Sequence, residues 1–276
     1  MGAPLITDIS DFKRRDVTFE GNTKPVLITG EIGPAVVVIH EIYGFTPTVA
    51  RLCRWLRDAG FQVYAPILFG RPDAMNEERP TLRRMLSLCI SHEFNMFAAN
   101  RSSPVVDWLK PLAGQAHREC GGRGVGVIGL CLTGGFALSM AVDPVVMAPV
   151  MGEPGQPAFP SAGLDISPVD LSRVKKRAAA EGLTVHGYRF EGDRLCKAER
   201  FATLRGALGP AFIGKEIPDE AGNPNGLKAK GHPPHSVFTT DLIDEVGQPT
   251  REAVNEIIAF FQHALKPSHS GENERQ

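Results

Sequence analysis

The sequence predicts an α/β protein built on a mostly parallel sheet. Three observations carry that expectation. Apolar, β-branched runs recur along the chain, as strands covered on both faces require, the clearest being "AVVVI" at residues 35–39. Between the runs lie segments with helix-start signals and apolar residues at helical spacing. The two kinds of segment alternate along the chain instead of clustering.

The elements follow in order. Residues 1–34 are read as an edge hairpin, and the strand at 35–39 comes next. Thr46-Pro47 supplies a cap and a proline at the first helical position. Val49, Leu52, Cys53 and Leu56 then recur at helical spacing until Gly60 stops the helix. "FQVYAPIL" is the following strand and completes a strand–helix–strand unit. Ser103-Pro104 opens a helix through "VVDWLKPLA", which Pro111 is expected to kink or end. "GVGVIGL" reads as a strand, "LTGGFALSMAV" as a short buried helix and "VVMAPVM" as a strand. Ser167-Pro168 opens a helix through Lys176. "LTVHGYRF" is a strand, "KAERFATLRGAL" an amphipathic helix and "PAFIGKEI" the last strand. Val254, Ile257, Ile258 and Phe261 stripe a final helix. Residues 70–82 and 214–234, rich in Pro, Gly and charge, read as long loops of the kind that border clefts. The tail from Pro267, residues 267–276, reads as disordered. Without a repeat or a clean linker, residues 1–276 are expected to form a single domain.

Composition narrows the function. Thirty basic against 31 acidic residues leave a net charge of −1, so no field attracts nucleic acid or an anionic membrane. Five cysteines, at 53, 89, 120, 131 and 196, include no CxxC pair and suit neither a disulfide framework nor a zinc site. "MGAPLITDISDFKRR" lacks the features of a signal peptide, and no apolar stretch has the length of a membrane span. A reducing cytoplasm is the expected home. Nothing in the sequence sets the oligomeric state, and a monomer suffices. Gly124, Gly126 and Gly129 match GxGxxG, but a helix precedes them and they lie within the strand itself. No acidic residue stands about 20 positions on, so the dinucleotide reading is rejected and no cofactor is expected.

The informative motif is "GLCLTGG", residues 129–135. Cys131 sits where an apolar strand ends and an apolar helix begins. In an open α/β sheet the carboxyl ends of the strands face the ligand crevice. A sharp strand-to-helix turn there lifts one side chain into the crevice, the nucleophile elbow written GxSxG in its serine form. Gly129 fills the first glycine position and Cys131 the nucleophile's, while Thr133 stands at the second glycine position and Gly134 and Gly135 follow. The helix start would also favour a thiolate. The bland alternative is a small buried hydrophobe, the reading given to Cys53, Cys89, Cys120 and Cys196.

A nucleophilic thiol needs a base, and the base an orienting group. His186 falls in a strand, His263 on the last helix and His269 in the tail. His232 and His235, in "GHPPHSVF" after the last strand, stand where a late catalytic histidine belongs. No acidic or cysteine ligand clusters beside them, so no metal is expected. Asp193, in "YRFEGDRLC", lies past a strand's carboxyl end, as a triad acid or as an ordinary turn residue.

Taken together, "VVVIHEIYG", the Gly129–Cys131–Gly134 elbow, "RFEGDRLC" and "HSVFTTDL" resemble the dienelactone hydrolase family over about residues 20–265, in the family's order. The resemblance implies a three-layer α/β-hydrolase fold, a mostly parallel central sheet with helices on both faces. It implies a triad of Cys131, His235 and Asp193. It implies that Glu41 holds the resting thiol and exchanges its proton when substrate arrives. The oxyanion hole would be the backbone N–H groups of Ile42 and Leu132. In the region of the family's substrate-binding arginines no motif matches, and Arg83, Arg84, His92 and Arg101 are candidates by position only. The expected activity is cofactor-independent hydrolysis of a small carboxylic ester or lactone. Hydrolysis of a thioester or another activated acyl group is the alternative. A non-enzymatic protein that keeps the fold and binds a small ligand or partner is a third reading.

Overall fold

Along "AVVVI" neighbouring side chains enter different cores, and this alternation organises the molecule. The computed structural model describes residues 5–68, 70–71, 102–155 and 162–266. β1 (Lys13–Phe19) and β2 (Asn22–Thr29) form the antiparallel edge hairpin. β3 (Ala35–Ile39), β4 (Gln62–Pro66), β5 (Val125–Leu130), β6 (Val146–Gly152), β7 (Val185–Phe190) and β8 (Phe212–Ile217) run parallel. The order across the sheet is β1-β2-β4-β3-β5-β6-β7-β8.

Val36 and Val38 meet α1 (Pro47–Asp58) and α6 (Pro249–Leu265), through Val49, Leu52, Val254 and Phe261. Val37 and Ile39 point the other way. There they join Leu109 and Leu112 of α2 (Val105–Cys120) and Phe136 of α3 (Gly134–Met140). Val174 of α4 (Pro168–Glu181) and Phe201 of α5 (Ala198–Leu208) extend that second core. Helices therefore cover both faces, which gives three layers. The chain runs from β3 outward to β4 and returns to β5 on the other side of β3. Such a switch point opens a crevice at the strands' carboxyl ends.

The local signals act as expected in α1. Thr46 Oγ1 accepts the Val49 N–H at 3.4 Å, and Gly60 turns the chain at φ +89°. Two expectations need correction. α2 runs unbroken through Pro111 to Cys120. A helical proline costs about 3 kcal/mol, but burying each of Leu109 and Leu112 stabilises by roughly 1.5–3 kcal/mol. Packing on the sheet wins. α4 continues past Lys176 to Glu181 and stops at Gly182, φ +70°. Arg177 fastens its last turn, donating to the carbonyls of Ala141, Asp143 and Val146 and pairing with Glu181. The loop after the last strand begins at Pro218, since 214–217 belong to β8, and it contains two 3₁₀ turns. Most of the expected loop at 70–82 and the tail from 267 lie outside the described residues. Among the described residues no helix is long and apolar enough to cross a membrane.

Candidate active site

β5 ends at Leu130, a 3₁₀ turn spans Cys131–Thr133, and α3 follows at once. Cys131 has φ +53°, a conformation that L residues adopt only under constraint. The constraint comes from its neighbours. A Cβ on residue 129 would lie 2.2 Å from the Thr133 carbonyl oxygen, and one on residue 134 would lie 2.6 Å from Pro154 Cα. Both glycines are sterically required. Position 133 has φ −94° and needs no glycine. Thr133 is fully buried there. Its Oγ1 accepts the Leu130 N–H at 3.0 Å and lies 2.9 Å from the Ile39 carbonyl oxygen. Its hydroxyl thus ties the elbow to the end of β3, in the place where the serine motif has a bare glycine.

The structure separates the two histidines that spacing alone left open. His232 is exposed, whereas His235 is buried with its Nδ1 2.6 Å from Asp193 Oδ2. Asp193 is no surface turn residue: it is buried just beyond β7, and its Oδ1 accepts the backbone N–H groups of Leu195 and Cys196. The histidine loop is held by a second carboxylate. Asp241 Oδ2 accepts the N–H of His235 at 2.8 Å and of Ser236 at 3.1 Å, while its Oδ1 accepts that of Leu227. His235 Nε2 is buried without a hydrogen-bond partner among the described residues. Cys131 lies within electrostatic range of that ring.

Glu41 lies past β3, 2% exposed, and its Oε1 accepts a hydrogen bond from Thr239 Oγ1. The preceding residue braces it. His40 Nδ1 donates to the Glu41 carbonyl oxygen at 2.7 Å, and His40 Nε2 accepts the Leu68 N–H at 3.0 Å. Burial lowers the His40 pKa to about 4, so this ring stays neutral and structural. Ile42 follows in the turn closed by Gly44 N–H to the Glu41 carbonyl, and Leu132 lies at a helix start, where N–H groups lack intrahelical acceptors.

Burial pushes the Cys131 thiol up, and the negative Glu41 pushes the same way against the opposing pull of His235. The resting thiol is therefore neutral. For His235, burial disfavours the imidazolium, but Cys131 and the bonded Asp193 outweigh it and raise the pKa well above the usual range.

Glu153 did not emerge from the sequence. It stands at the end of β6 in "MGEPG", fully buried. A glutamate closing an apolar run at a strand's carboxyl end was the available signal. Arg83, Arg84, His92, Arg101 and Cys89 lie outside the described residues. Cys53 and Cys196 are fully buried, and Cys120 donates to Gln62 Oε1 at 2.7 Å, away from the elbow.

Strand order, covering helices and a strained residue at the β5 turn define an α/β-hydrolase fold. Solved structures agree. A dienelactone-hydrolase-like promiscuous phosphotriesterase from metagenomic libraries superposes with a TM-score of 0.62 at 17% identity, over 92% of this chain and 98% of that one. A dienelactone hydrolase from Anabaena variabilis does so with a TM-score of 0.59 at 14% identity, over 93% of this chain and all (100%) of that one. Both are likenesses of fold. Residues 26–162 match the model of the dienelactone hydrolase family, and the chain belongs to that family. It is 30% identical over 116 residues to Carboxymethylenebutenolidase 1 of Cupriavidus pinatubonensis, 41% of this chain and 47% of that enzyme. The chain spans about half the length of the curated relatives it matches.

Proposed function

We propose that the protein is a cysteine-dependent hydrolase that cleaves a small carboxylic ester or lactone through Cys131, His235 and Asp193. The observation that carries this reading is the buried His235–Asp193 pair, 2.6 Å apart, beside a cysteine held at φ +53°. A strained strand-to-helix turn is costly, and such strain clusters at reactive positions.

The charges at rest suggest an order of steps. In this order the thiol starts neutral and His235 starts as the imidazolium, bonded to Asp193. When substrate arrives, Glu41 takes the thiol proton and leaves a thiolate, the nucleophilic form. The thiolate attacks the carbonyl carbon, and the N–H groups of Ile42 and Leu132 receive the negative oxygen. The carbon–oxygen bond breaks, and the departing oxygen takes the proton of His235. The neutral imidazole then draws a proton from water, whose oxygen attacks the Cys131 acyl group. The acid leaves, and the released thiolate recovers its proton from Glu41. Asp193 keeps the ring oriented and favours its charged form throughout.

A panel of lactones, aryl esters and thioesters, combined with an active-site-directed ester probe, tests the reading. Turnover of oxygen esters or lactones with labelling at Cys131 supports it, and Cys131→Ala should abolish both while the fold survives. Full activity in Cys131→Ala would refute the nucleophile. Preference for thioesters would move the substrate class, and tight binding without turnover would favour a binding protein on the same fold.

A further inference from the structure

The loop leaving β6, residues 153–155, touches both halves of the candidate site. Its Gly155 N–H donates to the Cys131 carbonyl oxygen at 3.1 Å. Two residues earlier, Glu153 Oε2 accepts the Val237 N–H at 3.1 Å, two residues beyond His235. Together with the two bonds to Asp241, this means that carboxyl groups accept three consecutive N–H groups, those of residues 235–237. The loop is tightly confined. A Cβ on residue 155 would lie 3.2 Å from His235 Cε1, and Glu153 itself has φ +34° while its N–H donates to the Tyr188 carbonyl oxygen at 2.7 Å. A non-glycine residue in that conformation persists only where its surroundings impose it.

We propose that Glu153 is a positioning residue for the reaction above: as an uncharged carboxylic acid it joins the elbow loop to the histidine loop and fixes His235 against Cys131. The inference rests on the reading of Cys131 and His235 as the reacting pair. Its charge state follows from its surroundings. The carboxyl is fully buried, accepts one N–H bond at Oε2, and has no partner at Oε1 among the described residues. Among the described residues no arginine or lysine pairs with it. Burial first, then the negative Glu41, push its pKa well above the usual carboxylate range; His235 and the Val237 N–H oppose them without prevailing, and Asp193 adds a smaller push upward. An isolated buried carboxylate is costly enough that the group keeps its proton instead. This neutrality also serves the nucleophile, because a second negative charge beside Glu41 would hold the thiol proton more firmly.

The amide of glutamine has the same shape, an acceptor for Val237 N–H and no charge, so it imitates the proposed state. In Glu153→Ala, kcat should fall roughly 10- to 100-fold, the scale set by a small misplacement of a catalytic group, with KM changed by less than about threefold. Glu153→Gln should recover kcat to within about threefold of the parent. The alkylation rate of Cys131 against pH should coincide in Glu153→Gln and the parent through neutrality, a readout that needs only the glutamine variant to fold. Two results would overturn the proposal. One is a folded Glu153→Ala with parental kcat. The other is a Glu153→Gln whose alkylation profile moves to lower pH, since that shift reveals a charge on Glu153. An active Cys131→Ala refutes the underlying reading whatever Glu153 does. An inactive Cys131→Ala beside an unimpaired Glu153→Ala refutes the positioning role alone.

Discussion

Thr133→Val keeps the shape of a fully buried side chain and removes one oxygen. No cavity forms, so the loss is confined to hydrogen bonding. Oγ1 accepts the Leu130 N–H and can donate to one carbonyl oxygen at a time, that of Ile39 at 2.9 Å, of Leu130 at 2.9 Å or of His40 at 3.2 Å. Valine withdraws an acceptor from a buried N–H, which costs about 1–3 kcal/mol, and forfeits the donated bond, worth about 1 kcal/mol. The expected destabilisation is about 2–4 kcal/mol. At roughly 2–4 °C per kcal/mol for a chain near this size, Tm should fall by about 5–15 °C. Urea titration followed by fluorescence checks it, with a lower midpoint and an unchanged slope. Thr133→Ser keeps the oxygen and should lose no more than about 1.5 kcal/mol. A valine variant within about 0.5 kcal/mol of the parent would refute the idea that the hydroxyl ties the elbow to β3.

His235→Ala should be nearly inactive, while His232→Ala, whose ring is exposed, should keep much of its rate; steady-state turnover on any accepted ester decides, and a reversed result would make His232 the base. Beneath α3, Arg200 pairs with Asp165 at 3.0 Å, both side chains buried. Asp165→Asn leaves that guanidinium uncompensated and should cost roughly 3–5 kcal/mol in denaturant titration, a loss that a surface pair would not show.

Features written in local pattern were readable. A β-branched run between turn signals is a strand wherever it sits, and "GLC" between strand and helix announces an elbow because the turn demands small neighbours. Features that depend on distant partners were not. Pro111 alone reads as a kink or an end of the helix, and it is the burial of Leu109, Leu112 and Ala116 that carries α2 past it. His232 and His235 share one loop and one residue type, and only burial beside Asp193 distinguishes them. Glu153 meets Val237 across 84 positions of chain, and "MGEPG" shows nothing of that contact. At the motif's second glycine position Thr133 carries no local sign of its role, because the acceptors its hydroxyl faces, the Ile39 and His40 carbonyls, lie more than 90 positions away.

Glu41 makes two opposite predictions, and their combination tests its role. Its charge raises the Cys131 pKa, in the direction already set by burial. In the free protein the alkylation rate of Cys131, with the other four cysteines replaced, should therefore rise only near or above the ordinary thiol pKa of roughly 8.5. A raised thiol pKa means that the neutral form persists through neutrality and the thiolate appears as pH climbs past it. Glu41→Gln removes the negative neighbour, so the same profile should move to lower pH and the resting thiol should become more reactive towards a small neutral alkylating agent. Turnover should change the other way. An amide cannot take the thiol proton, so if proton exchange precedes attack, ester hydrolysis should fall strongly although the thiol ionises more easily. A merely structural Glu41 predicts no such opposition, because a disordered strand end would lower turnover without favouring the thiolate. An alkylation plateau reached well below neutrality in the parent would remove Glu41 from the mechanism and leave a plain Cys–His ion pair. A Glu41→Gln variant with parental turnover would do the same, and the thiol proton would then pass to another group.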